Sequence, residues 1–142
     1  MTFAGINHLA IILAAIVAWI GGAVYYGVLS KPWMAAQGKT LEQFNAEGAA
    51  KSALARYAPF VLSFLAEIGM AWVLAGMVGH LGSVTIRTAV ISALFVWAGF
   101  MLTTMLVNNA FGGRRYMLTL IDSGHWLLVM VLMGLVIGWM GV

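Results

Sequence analysis

The sequence has no cysteine, and Asp, Glu, Lys and Arg make up only 8% of it, whereas soluble domains contain about a quarter charged residues. The absence of cysteine excludes a disulfide-stapled secreted module, a thiolate metal site and a cysteine nucleophile. The scarcity of charge excludes a soluble single-domain enzyme. In their place, 63% of the 142 residues are hydrophobic and the mean hydropathy is +1.01. Because most of the chain is apolar, composition predicts an integral membrane protein rather than a soluble domain with one anchor.

The net charge is +3, from seven basic and four acidic residues. The basic residues are spread along a mostly apolar chain and form no stripe that would track phosphates. We therefore expect the lipid bilayer as the partner of this chain, and no nucleic acid.

Four apolar stretches are each long enough for the roughly 20 residues that cross a hydrocarbon core. They cover about 6–28, 57–79, 84–108 and 116–141. The first lacks a basic n-region and is too long for a signal-peptide core, so we expect it in the mature protein. The sequence predicts one all-α domain over 1–142, an integral membrane four-helix bundle.

A short amphipathic helix is predicted between the first two spans, over about 41–56. Residues 40–43, Thr-Leu-Glu-Gln, have the spacing of a capping box. The thin apolar side of this helix consists of Leu41, Phe44 and Leu54. Two interpretations stay open: the helix lies on the membrane surface with Trp33 as an interfacial anchor, or it is a polar connector packed on the span ends. Tyr25 and Tyr26 are expected in the interfacial aromatic belt.

The basic residues predict the orientation of the spans. Four lie between spans one and two, Arg114 and Arg115 lie between spans three and four, and only Arg87 is near the other side. Because basic loops stay in the cytoplasm, we expect both termini in the periplasm of a bacterium and the chain in its inner membrane.

Small residues recur at four-residue intervals on three of the predicted spans. These faces are formed by Ala14, Ala18 and Gly22, by Ala71, Ala75 and Gly79, and by Gly134 and Gly138. Such faces let helices approach closely in lipid. They are suited to packing within one chain or between chains of a homo-oligomer.

Glu67 falls near the middle of the second span, where a charged side chain costs on the order of 3 kcal/mol. A lone carboxylate at this depth is expected to be protonated or paired inside the bundle. It is either a proton or cation site, or a protonated side chain that forms a hydrogen bond between helices.

Asp122 and His125 are three residues apart on the fourth span and so share a face. With Glu67 they form a candidate intramembrane polar site, a proton relay or a small metal site. The alternative is a pair between Asp122 and Arg114 or Arg115 at the cytoplasmic rim.

Two further groups of polar residues carry weaker signals. His8 and His80 lie at the outer span ends, where a histidine pair can ligate haem but single interfacial histidines are more common. No cofactor or metal is predicted from them. Asn108, Asn109, Arg114 and Arg115 form a candidate cytoplasmic hinge, either a substrate or headgroup site or, as we favour, a glycine-permitted turn.

Several segments together resemble a bacterial membrane family called domain of unknown function 1761, over most of the chain. They are Gly-Ala-Val-Tyr-Tyr at 22–26, Lys-Pro-Trp-Met at 31–34, Asn-Ala-Phe at 109–111, Arg114, Ile121, Gly-His at 124–125, and Gly134. In that family the first span usually ends in Trp-Tyr-Ser-Pro, where this chain has Tyr-Tyr-Gly at 25–27. The resemblance implies a four-helix membrane protein and brings no established activity.

Two functions follow as hypotheses. The first is a structural or interaction protein that self-associates or docks on a larger membrane complex. The alternative is a small proton- or cation-coupled transporter or channel that uses Glu67 with Asp122 and His125. We expect no enzyme, because no nucleophile and base are clustered in the sequence.

Overall fold

The computed structural model describes residues 7–141, which form helices and connecting turns without any strand. The helices are α1 (His8–Val28), α2 (Ser30–Ala36), α3 (Leu41–Ala50), α4 (Ala53–His80), α5 (Ile86–Val96), α6 (Thr103–Phe111) and α7 (Tyr116–Met140), with a π-helical segment, Trp97–Leu102, between α5 and α6. Four helices are long and apolar enough to cross a membrane: α1, α4, the continuous Ile86–Phe111 helix and α7. The predicted all-α four-helix membrane fold is confirmed. Ile6, the predicted start of the first span, lies outside the described residues.

α7 is the central helix of the bundle. It packs along α1 on one side and α5 on the other, while α4 packs on α1 and also touches α5. We call the end that carries residues 29–52 and 112–115 the connector end. The opposite end, where α1 starts and α7 stops, is the terminal end.

The small-residue faces of α1 and α7 are used inside the chain. Ala14 and Ala18 are fully buried, and Gly22 is buried against α7. A Cβ built on Gly134 would lie 3.1 Å from the Ala89 carbonyl oxygen, so α7 meets the backbone of α5 here without an intervening side chain. Close backbone approach of this kind strengthens dispersion contacts where lipid offers no hydrophobic drive.

The connection between the first two spans differs from the prediction. The capping box is present, because Thr40 Oγ1 accepts from the Gln43 amide at 3.2 Å and Gln43 Oε1 accepts from the Thr40 amide at 3.0 Å. The predicted end of the helix over 41–56 is wrong, because α3 stops at Ala50. Lys51 is extended and the Ser52 hydroxyl caps a new helix, α4, at 3.2 Å from the Ala55 amide.

The third span contains a wider helical segment, the π-helical residues Trp97–Leu102. Segments of this kind insert an extra residue into a turn and re-aim the side chains around them. Here the Trp97 indole donates to the Ser123 carbonyl of α7 at 2.9 Å. The π-helical segment is therefore tied to α7 one residue from Asp122.

Candidate functional site

Asp122 joins three helices at the connector end. Its Oδ1 accepts from the Tyr26 hydroxyl of α1 at 2.7 Å and from the Trp33 indole of α2 at 3.0 Å. Two hydrogen bonds from different helices meet on this one oxygen, so the Asp122 side chain fastens α1 and α2 to α7.

The alternative rim pair between Asp122 and an arginine is wrong. Within residues 7–141 the only ion pair joins Lys39 and Glu47, at 2.6 Å. Arg115 instead donates to the Ala35 carbonyl near the end of α2, at 2.7 Å. A cation near the last carbonyls of a helix is favourable, so the arginine also holds α2 in place.

His125 lies one turn deeper than Asp122, inside an aromatic cluster. Its ring packs on Tyr26 with centroids 4.6 Å apart and meets Tyr25 and Trp126 edge-on at 5.8 and 4.9 Å. A Cβ at Gly22 would lie 2.5 Å from His125 Nε2, so any larger residue at this point of α1 would force the imidazole to move. The side chain is 8% exposed, and its Nδ1 has no hydrogen-bond partner among the described residues.

Glu67 is 2% exposed on the inward face of α4. One turn nearer the connector end, Ser63 Oγ accepts from the Trp19 indole of α1 at 3.1 Å. Glu67 Oε2 is buried without a hydrogen-bond partner in the part of the chain that the structure describes. The interhelical hydrogen bond expected of a structural glutamate is therefore absent there.

Glu67 lies deeper in the bundle than His125. The His125 ring meets α1 at Gly22, Trp19 bonds to Ser63, and Glu67 follows Ser63 by four residues. Three residues along α1 and four along α4 correspond to about 10 Å along the bundle axis. Among residues 7–141, no three His, Asp or Glu side chains are grouped to hold a metal ion. The structure brings Asp122 and His125 together and leaves Glu67 about two turns away.

The candidate hinge is a turn between α6 and α7. Gly113 has a φ of +61°, a conformation that glycine adopts without strain. Asn109 is tied down through a 2.9 Å bond from its Nδ2 to Thr119 Oγ1, while Asn108 and Arg114 are exposed. These four residues do not converge on one point.

His8 and His80 are both exposed at the terminal end. His80 Nδ1 lies 2.7 Å from the Gly76 carbonyl oxygen of its own helix. Both histidines therefore lie at the bundle surface, and their interfacial role stays a prediction.

The sequence patterns did not predict the aromatic partners of the site. Tyr25, Tyr26 and Trp33 were assigned to an interfacial belt or anchor, yet all three face α7, and Tyr25 Oη donates to the Ile121 carbonyl at 2.9 Å. The sequence did contain a signal for this site. The family resemblance rests partly on the segments that meet here, which are 22–26, 31–34 and 124–125.

Fold and site together define a multi-pass integral membrane protein with titratable side chains in its core. The profile of the family described as "Protein of unknown function (DUF1761)" matches residues 9–138. The chain belongs to this family. Comparison with curated proteins and with solved structures gives no match.

Proposed function

We propose that this chain is a small proton-coupled transporter or channel of the bacterial inner membrane that uses Glu67 with Asp122 and His125. The observation that carries the proposal is the buried Glu67 carboxyl with an oxygen that lacks a partner. A group with this environment is expensive to keep in a membrane, and the described residues offer it no structural use. In the proposed orientation the connector end faces the cytoplasm and both termini face the periplasm, because six of seven basic residues belong to the connector end.

A proton fits the Glu67 site better than a metal cation does. Alkali and alkaline-earth ions require several oxygen ligands around them. The nearest polar group on the same helix face, Ser63 Oγ, donates to the Phe60 carbonyl at 2.8 Å and accepts from Trp19. A proton needs only the carboxyl itself, so we narrow the coupled species to the proton.

Proton flux into liposomes tests the proposal. The purified chain is reconstituted with an entrapped pH-sensitive dye, and a potassium diffusion potential drives protons inward. We expect the parent to acidify the lumen faster than protein-free liposomes, and Glu67→Gln to reduce the rate to that background, because the amide keeps the shape but carries no titratable proton.

Glu47→Gln is the matched control for this experiment. It makes the same chemical change on α3, where the carboxylate is half exposed and paired with Lys39. It should leave flux unchanged. If the parent shows no flux above protein-free liposomes, the transport proposal is refuted.

A structural or interaction role is the second candidate, and the third span supports it. In an apolar stretch of 18 residues of this span, only 11% of the stretch is buried inside the chain, against 44% in the corresponding stretch of α7. Its outward side chains include Phe95 and Phe100, which are 75% and 72% exposed. Crosslinking in native membranes at these two positions tests this role: a discrete product with a second copy or another subunit supports it, and crosslinks to lipid alone oppose it.

A further inference from the structure

The half of the bundle core between Glu67 and the terminal end is apolar, although a groove of about 520 Å³, lined by Leu74, Met77 and Met130 among others, opens beside it. From α4 it contains Leu74 and Val78, and from α7 Met133 and Ile137, none more than 1% exposed. These side chains belong to one continuous hydrophobic cluster. Near this region the third span has one buried polar side chain, Ser92. Its hydroxyl does not titrate at ordinary pH. Within the described part of the chain, this half of the core offers a proton no chain of exchangeable groups.

The other half, between Glu67 and the connector end, contains polar groups at successive turns. First comes the Trp19–Ser63 pair, then His125, then Asp122 with the Tyr26 hydroxyl. Side chains of a helix lean toward its N-terminus, and α4 and α7 both begin at the connector end. The Glu67 and His125 side chains therefore both lean toward the connector end, so the Glu67 carboxyl leans toward the polar half of the core and away from the apolar half.

The titratable and charged side chains around Glu67 divide between the two ends in the same way. On the connector side of Glu67 are Tyr25 and Tyr26 of α1, Arg56 and Tyr57 of α4, and Tyr116, Asp122 and His125 of α7. At the terminal end are His8 of α1, His80 of α4 and Arg87 of α5, all exposed at the bundle surface. Among residues 7–141, only the connector side has titratable groups inside the bundle.

We infer that Glu67 exchanges its proton with the connector side alone, by way of His125, and that the terminal half of the core is a barrier to protons because it is apolar. The inference rests on the proposed proton site. It narrows the proposed function from a transporter or channel to a carrier, because the helices must rearrange before a proton leaves on the terminal side. His125 is suited to the relay because a neutral imidazole has one donor and one acceptor nitrogen and its Nδ1 is buried without a partner. Asp122 is a positioning residue, since it holds the Tyr26 ring on which His125 packs.

Infrared spectroscopy of oriented proteoliposomes tests this one-sided access. The chain has only four acidic side chains, so the C=O band of a protonated buried carboxyl is assigned by its loss in Glu67→Gln. If that variant does not fold, carbon-13 glutamate in the parent distinguishes the band from that of Asp122. Orientation is read from whether external trypsin cuts after the exposed Lys51.

The pH is then changed on one side at a time while the other side stays buffered. We expect the intensity of the Glu67 C=O band to fall when the connector side is made alkaline. We expect it to stay constant when only the terminal side is made alkaline. A response to the terminal side, an equal response to both sides, or no response to either would overturn the inference. A connector-side response without liposome flux would refute transport and leave one-sided access standing. Liposome flux together with a band response to both sides would support transport and refute one-sided access.

Replacing His125 tests the relay separately. We expect His125→Phe, and likewise the polar but non-titrating His125→Gln, to slow the band response about a hundredfold, the lower range for a positioned acid-base group. His8→Gln, which makes the same change at an exposed histidine of the terminal end, should respond at the parent's rate. If both His125 variants respond as fast as the parent, the path does not use His125.

Discussion

Gly138 is the position at which the packing of α7 on α5 is most sensitive to one added methyl group. A Cβ at this position would lie 2.5 Å from Ile86 Cα, and 2.7 Å from both the Ile86 nitrogen and the Thr85 carbonyl oxygen. To reach the 3.4 Å of ordinary contact, the two backbones must separate by about 0.9 Å. These atoms belong to the start of α5, so no side-chain rotation relieves the overlap.

The size of the effect follows from two opposing contributions. Alanine is favoured over glycine inside a helix by about 1 kcal/mol. Overpacking costs about 1–3 kcal/mol, and the upper part of this range applies because backbone must move. We therefore expect Gly138→Ala to lower the free energy of unfolding by about 2 kcal/mol.

Reversible unfolding in mixed micelles, followed by tryptophan fluorescence, measures this change. Two glycines are controls. At Gly21 the added Cβ meets the end of the Leu132 side chain, an overlap that a rotamer change relieves, and at Gly76 it meets nothing within 4 Å. Both alanine variants should stay within about 1 kcal/mol of the parent. If Gly138→Ala is as stable as Gly76→Ala, the close α5–α7 contact is not how this bundle packs.

Three further predictions concern topology, the Asp122 site and the connector. A reporter fused after Val142, which lies outside the described residues, should behave as periplasmic and one inserted near Gly48 as cytoplasmic; the opposite pair of results would reverse the orientation. Tyr26→Phe should lower the free energy of unfolding by about 1.5–3 kcal/mol, because it removes the 2.7 Å bond to Asp122; an unchanged unfolding curve would contradict the role of Asp122 in joining α1 to α7. Thr40→Ala should speed proteolysis within the connector through loss of about 1 kcal/mol of helix capping, with unfolding of the spans unchanged; equal proteolysis rates would show that the cap contributes little.

Local features of the fold were predictable because each depends on neighbours in sequence. The length of an apolar run is set by the thickness of the bilayer, so four spanning helices followed from the four apolar runs of the sequence. The capping box at Thr40 was also readable, because its hydrogen bonds join residues three apart. The end of α3 was missed although its cause is local too: the Ser52 hydroxyl starts a new helix where the apolar pattern continues.

The candidate site was only half predictable, and the reason is helix register. The spacing of Asp122 and His125 placed them on one face of α7, as observed. It could not show that Asp122 bonds to Tyr26, which is 96 residues away in the chain, or that Glu67 lies about two turns deeper than His125. In lipid every apolar face is acceptable to the solvent, so periodicity does not reveal which faces meet or how far one helix slides along another. Those choices are made by close packing at positions such as Gly22 and Gly138, and only the tertiary structure contains them.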